Sequence, residues 1–395
     1  MSKLLKLSFI LLSLIVSLYF IFIGFIPHTT YAVIFEIDEE DYFYLENSSY
    51  NNNNNNNNKY DLKTKKNINK QPLNMEENVN VNNYNNNEQQ KSYNLENDTG
   101  IEKYHIQKYY TNGTFITSWG EKGEEGDGQF LHVHGIAVDS KGNVYVTDEE
   151  KSNVQKFDSE GNFILSWGES GKGDDQFGKK IEDIDVDNSD NVFVADYSNE
   201  KVMKFDSNGT FITSWGSKGE EDGEFNRLWG IAFDSKNNVY TSERDNHRIQ
   251  KFDNNGSFIQ TWGEEGSKNG EFKHLHAVAV DSKDNVYADD EDHGTIQKFT
   301  SDGKFVKEWG NVGKEEGEFD EPHGMAFDSN DNLYVVDTQN HRIQVFNSDG
   351  KYLNSIGKKG SGPDEFLLIH DIAIDKENDI MYIADSRNAH PNKIN

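Results

Sequence analysis

The chain has 395 residues, 69 of them acidic and 39 basic, for a formal net charge of −30. A surface of that sign repels phosphate backbones and argues against nucleic-acid binding. The absence of cysteine removes disulfides, thiolate catalysis and Cys-ligated zinc modules, while 33 glycines, 12% aromatic residues and only 5 prolines suit a β-rich fold with many tight turns.

Residues 1–32 read as an export segment. Lys3 and Lys6 precede an apolar run from Leu7 to Ile26, broken only by Ser8, Ser13, Ser17 and Gly24. Its 20 residues are long enough to cross a bilayer as a retained anchor. Equally, Thr30-Tyr31-Ala32 offers the small residues of a signal-peptide cleavage site. Both alternatives keep the lysines inside and place the rest of the chain outside, on the cell surface or secreted, with membrane contact through this segment alone. Residues 33–100 are rich in asparagine, including the run Asn51 to Asn58. So little apolar surface cannot offset the entropy of ordering, which predicts a disordered linker.

From about residue 101 the sequence repeats itself. Tryptophans stand at 119, 167, 215, 262 and 309, and Ile356 takes the next place. Each period of 47 or 48 residues holds four short strands, here a to d. The first complete unit has strand a at 135–139, b at 143–146, c at 154–157 and d at 163–167. Asp- and Gly-rich turns such as Asp139-Ser140-Lys141-Gly142 and Asp158-Ser159-Glu160-Gly161 join a to b and c to d. Their glycine or asparagine supplies the positive φ that hairpins demand. Four strands per period with aromatics in register read as the blade of a β-propeller.

The segments HGIAVDSKGNVYVTD, WGIAFDSKNNVYTSERDNHRIQKF and HGMAFDSNDNLYVVDTQNHRIQVF resemble NHL repeats. The resemblance spans residues 104–395 and implies an all-β propeller. Complete units start at Gly135, Asp183, Gly230, Ala277 and Gly324, and a sixth at Asp371 supplies only strands a and b before Pro391. Ile106 to Tyr109 and Phe115 to Trp119 match the missing c and d strands. The expectation is therefore six blades over 101–395, the last closed by N-terminal strands c and d against C-terminal strands a and b.

Tracing the chain puts the b–c and d–a loops on one face, here the upper, and the short a–b and c–d turns on the lower. The b–c loops open on Asp148, Asp196, Glu243, Asp290, Asp337 and Asp385. Their recurrence in every blade favours loop scaffolding over a cation-attracting ring. The recurrent Phe130, Phe177, Phe225, Phe272, Phe319 and Phe366 read as plugs between blades.

The position just before strand a, at the mouth of the central channel, holds His134, Glu182, Trp229, His276, His323 and His370 in turn. Four imidazoles converging beside a carboxylate are ligands for zinc or another divalent transition metal. The peptidylglycine amidating lyases, propellers with NHL-like blades, place zinc-binding histidines before strand a. Resemblance to them implies the same role for His134, His276, His323 and His370, with Glu182 as a further group.

Two functions stand against each other. One is an extracytoplasmic binding module, expected as a monomer, that recognises a protein, peptide or glycan through its upper face, with Trp229, Arg227, Arg244 and Glu182 on that face. The other is a metal-dependent extracellular enzyme resembling the amidating lyases or a propeller lactonase. No residue is assigned to catalysis, because no Ser-His-Asp set, phosphate loop or dinucleotide fingerprint is present.

Overall fold

The computed structural model describes residues 105–386, apart from 125 and 361, together with the strands Phe43–Leu45 and Leu62–Thr64, which pair antiparallel. The expected export segment lies outside the described residues, as does the expected linker save for those two strands. Among the described residues no helix is long and apolar enough to cross a membrane.

Residues 105–386 form six four-stranded antiparallel sheets. The a strands are Val133–Val138, Ile184–Val186, Leu228–Phe233, Val278–Val280, Pro322–Phe327 and Ile369–Asp375 for blades 1 to 6. Blade 6 runs Ile369–Asp375, Ile380–Asp385, His105–Tyr110, Phe115–Trp119 across the sheet, so the two ends of the ring share one blade. Six residues of each end pair, from Ile380 with Tyr110 to Asp385 with His105. The expected closure is the observed one.

The repeat is explained by contacts between blades as much as within them. In the a–b turn, Asp139 Oδ1 accepts from the amides of Lys141 and Asn143, and Oδ2 accepts from the Tyr145 hydroxyl at 3.0 Å. The next residue, Ser140, bonds Asp190 of the following blade through both its amide and its hydroxyl. Lys156 lies 4.8 Å from the centre of the Tyr145 ring and donates to Ser207 O in that same neighbour. What reads in sequence as hairpin chemistry is also the tie from blade to blade.

The tryptophan period has the same origin. Trp119 of one blade lies against Gly161 in the c–d turn of the next, where a Cβ would come within 2.6 Å of Trp119 Cδ2 and φ is +84°. Glycine is thus required there both for space and for backbone conformation. Gly209, Gly256, Gly303 and Gly350 meet Trp167, Trp215, Trp262 and Trp309 in the same way. The six recurrent phenylalanines are fully buried. Phe177, for example, packs among Tyr145 and Val154 of blade 1 and Phe205 of blade 2, as expected of a plug between blades. Burying each contributes about 2–3 kcal/mol.

Upper and lower loops sort as expected. The six acids that open the b–c loops are fully buried. They accept amides mostly from the preceding d–a loop rather than from their own: Asp148 from Leu131 and His132, Asp290 from Lys273 and His274, Asp385 from Leu367 and Leu368. The scaffold reading holds, with the bonds running between two loops.

Candidate metal and ligand site at the upper channel mouth

The a strands begin irregularly, and this aims the side chains at the channel mouth. Pairing with strand b slips between Val133 and Ile136, Leu228 and Ile231, and Pro322 and Met325. Such bulges re-aim a side chain, here His134, Trp229 and His323, which lie inside the strands rather than just before them. Amides freed by the bulge are taken by other groups. Gly135 N donates to Thr147 Oγ1 at 2.7 Å, and Ile136 N to Asp371 Oδ2 of blade 6 at 2.9 Å.

All six expected mouth residues come together. His134 stacks on His370 (centroids 4.5 Å apart, 26° between planes), and Trp229 stacks on His276 (4.1 Å, 12°). His323 joins the two pairs, 4.7 Å from His276 and 5.5 Å from His370. Trp229, from blade 3, also meets His134 at 6.0 Å and Tyr197 edge-on at 5.8 Å, so its indole spans the mouth. Beneath this layer lies a cavity of about 350 Å³ walled by the a strands, including Asp183, Asp185 and Asp371, and reaching lower-face residues such as Ser235 and Lys376. The candidate ligand atoms lie in the histidine layer and not among the residues that line this cavity.

Two triads at the mouth bring their ligand atoms within 4.8 Å of one another: His134, His323 and His370, and His276, His323 and the b–c loop residue Glu291. A third, His274, Glu291 and Asp292, shares that glutamate. His134 Nδ1 sits 2.9 Å from the Glu182 carbonyl oxygen, which only accepts, so that nitrogen carries the proton. Nε2 then keeps its lone pair, 3.1 Å from Glu182 Oε2. Burial lowers the His134 pKa to about 4 and raises that of Glu182 above the ordinary carboxylate range, so burial favours the neutral form of each. Burial likewise holds His276 and His370 well below the ordinary histidine range. Neutral imidazoles are what a metal requires.

The nitrogens of His276 and His370 are enclosed and make no hydrogen bond. Glu291 Oε2 is 3.1 Å from His276 Nε2 but lies out of line for a bond with that ring. His276 is 1% exposed, so solvent does not compensate. A buried polar group left unpaired costs about 1–3 kcal/mol.

Of the expected face residues, Arg244 lies in the site: its Nη2 is 3.1 Å from Glu291 Oε2, and its Cζ is 5.6 Å from the Trp229 ring centre. Arg227 points outward, half exposed, and pairs with Asp245 at 3.1 Å. Glu291, Glu149 and Tyr197 were not singled out in the sequence. Glu149 bonds His132 and Lys180, each at 2.8 Å. The signal was present, however. The residue after each buried loop acid is Glu149, Tyr197, Arg244, Glu291, Thr338 and Ser386 in turn. That position varies around the ring while its neighbour stays acidic, and at Arg244 and Glu291 it faces the site.

Comparison with known proteins agrees with the architecture. A family described as a 6-bladed beta-propeller matches residues 132–215 and 313–390, and the NHL repeat family matches residues 225–252. No curated protein matches the chain at significant similarity. Among solved structures, a protein of unknown function from Bacteroides thetaiotaomicron is 18% identical with a TM-score of 0.53, over 71% of this chain and 76% of that one. A catalytically inactive virginiamycin B lyase from Staphylococcus aureus, with quinupristin, is 16% identical with a TM-score of 0.46, over 62% of this chain and 75% of that one. The first of these likenesses shows the fold alone.

Proposed function

Taking the chain as a six-bladed β-propeller with NHL repeats, we propose that it is a binding module that captures its ligand at the upper channel mouth, around a divalent transition metal such as zinc. His134, His323 and His370 would hold the ion, with His276 and Glu291 beside them. One observation carries this reading. His276 and His370 are enclosed, neutral and without hydrogen bonds, on either side of His323. A structural histidine of a core is normally paired through at least one nitrogen. A metal supplies the missing partner, and imidazole suits zinc, copper, nickel and iron.

In this reading the module acts outside the cytoplasm, carried on residues 1–100, and recognises a protein, peptide or glycan. The test is the metal content of the full chain purified without chelators. About one zinc per chain is expected, lost in the triple variant His134→Ala, His323→Ala, His370→Ala. Wild-type protein that holds no metal, as isolated and after incubation with zinc, would overturn the reading.

A second reading, a metal-dependent lyase or lactonase, draws on Glu291, a carboxylate 3.1 Å from His276 Nε2 that could serve as a base. Lactone turnover by the metal-loaded protein, lost in Glu291→Gln, would support it; a metal-loaded protein without turnover leaves the binding module.

A further inference from the structure

We propose that the upper mouth takes a carboxylate-bearing ligand and that Arg244 is the residue that reads the charge. This deepens the reading of the mouth as the ligand site and rests on it.

Arg244 is the only arginine or lysine at the variable position behind the buried loop acids. Its side chain is 22% exposed. The edge of a guanidinium formed by Nε and Nη2 matches the two oxygens of a carboxylate. In Arg244 that edge is half used. Nη2 donates to Glu291 Oε2 at 3.1 Å, while Nε is enclosed and donates to nothing. The same Glu291 oxygen lies 3.1 Å from His276 Nε2, so one carboxylate oxygen stands between the cation and the histidine layer. The second neighbour of Nη2, His274 Nδ1, is 3.4 Å away and is held by Asp292 at 2.9 Å.

Three neighbouring cations of this face are held in ordinary pairs: Lys180 with Glu149 at 2.8 Å, Lys273 with Asp292 at 2.7 Å, Arg227 with Asp245 at 3.1 Å. Arg244 combines a donor without a partner with a place against the mouth-spanning indole of Trp229. A carboxylate that displaces the groups enclosing Nε would complete the Nε–Nη2 edge next to the histidines. Trp229 and Tyr197, perpendicular at 5.8 Å, border the same spot and favour an apolar group next to the charge. On a protein of net charge −30 such a ligand is not drawn in by the overall field. Its recognition must come from this local donor set.

The experiment compares N-acetyl-phenylalanine with its amide, a pair that differs in the carboxylate alone. Binding to the full chain is followed by calorimetry, with metal content measured on the same samples. The carboxylate is expected to bind at least about tenfold more tightly than the amide. Arg244→Gln should erase that preference, and Arg244→Lys should keep part of it, with the folding of each variant checked by its melting curve. Metal-loaded wild-type protein that binds both probes equally, or neither, overturns the inference while leaving the metal reading in place. A preference that survives in Arg244→Gln overturns it as well. A preference that depends on Arg244 in protein without metal supports the inference and removes the metal reading instead.

Discussion

Trp229 lies flat on His276, with ring centroids 4.1 Å apart and 12° between the planes. The two residues come from neighbouring blades, 3 and 4, and occupy the same place in their repeats. One carries the largest side chain of the mouth and the other an imidazole with no hydrogen bond. A metal bound beside His276 must therefore perturb this indole before any other.

The first prediction is optical. The chain has six tryptophans, and the other five stand in the outer d strands. Titration with nickel or cobalt should quench roughly a sixth of the emission, and Trp229→Phe should abolish that change. Quenching of equal size in Trp229→Phe would mean that the metal binds elsewhere.

A second prediction concerns ring closure. Ile106 is fully buried and packs with Tyr382 and Ala384 of blade 6 and with Ile136 and Val146 of blade 1. Ile106→Ala should cost about 2–5 kcal/mol in urea denaturation. Outside the ring's seam, Ile259→Ala on an exposed outer strand should cost little. Equal effects would show that the N-terminal strands are dispensable.

Asp185 gives a third, through pH. It stands where the other five blades have alanine (Ala137, Ala232, Ala279, Ala326 and Ala373). Desolvation raises its carboxyl to a pKa of about 7. The folded pKa lies above the unfolded value of about 3.9, so the folded state binds the proton more tightly. Its contribution to stability is complete below about pH 4 and is lost as pH rises toward about 7. Asp185→Ala should therefore stabilise the protein by roughly 1–3 kcal/mol at pH 8 and have little effect at pH 4. Melting curves at the two pH values decide it, and an equal shift at both would contradict the assignment.

A fourth separates scaffold from site. Arg248 Nε is 2.7 Å from the fully buried Glu243, and its other nitrogens donate to the carbonyls of Glu220, Glu221 and Glu224. Arg248→Ala strands a buried carboxylate and should cost about 3–5 kcal/mol. It should leave metal content unchanged, since Arg248 faces the d–a loop and not the channel mouth. Metal lost from a folded Arg248→Ala protein would join the loop to the site.

The blade count and the closure were legible because each rests on a repeat whose physical cause is local in register. Trp119 meets Gly161, a pairing repeated at five of the six blade junctions, with Ile356 against Gly113 at the sixth. The Tyr145–Asp139 pair returns as Tyr240–Asp234 and Tyr287–Asp281, so the pairs recur in the sequence. The four histidines stood out because they are not needed by that scaffold, which accepts Glu182 and Trp229 at the same place. Glu291 did not stand out. It reaches His276 only because a b–c loop folds over the start of strand a, where Glu291 N donates to His274 O. That approach is legible only by comparing blades, where the residue after each buried loop acid varies.

The sequence by itself determined the period of 47 or 48 residues, the six blades, the order of strands and the shared sixth blade. Each follows from side-chain alternation and turn chemistry, which act over a few residues and are copied with the repeat. The tertiary structure alone decided which groups at the mouth are left without partners. It turned His134 so that one nitrogen faces the Glu182 carbonyl, left both nitrogens of His276 unbonded beneath Trp229, and gave Arg244 an idle Nε. Those facts depend on side chains from six blades converging within a few ångströms around one axis. Pairing there is a property of distance and angle, and residue order along the chain carries neither.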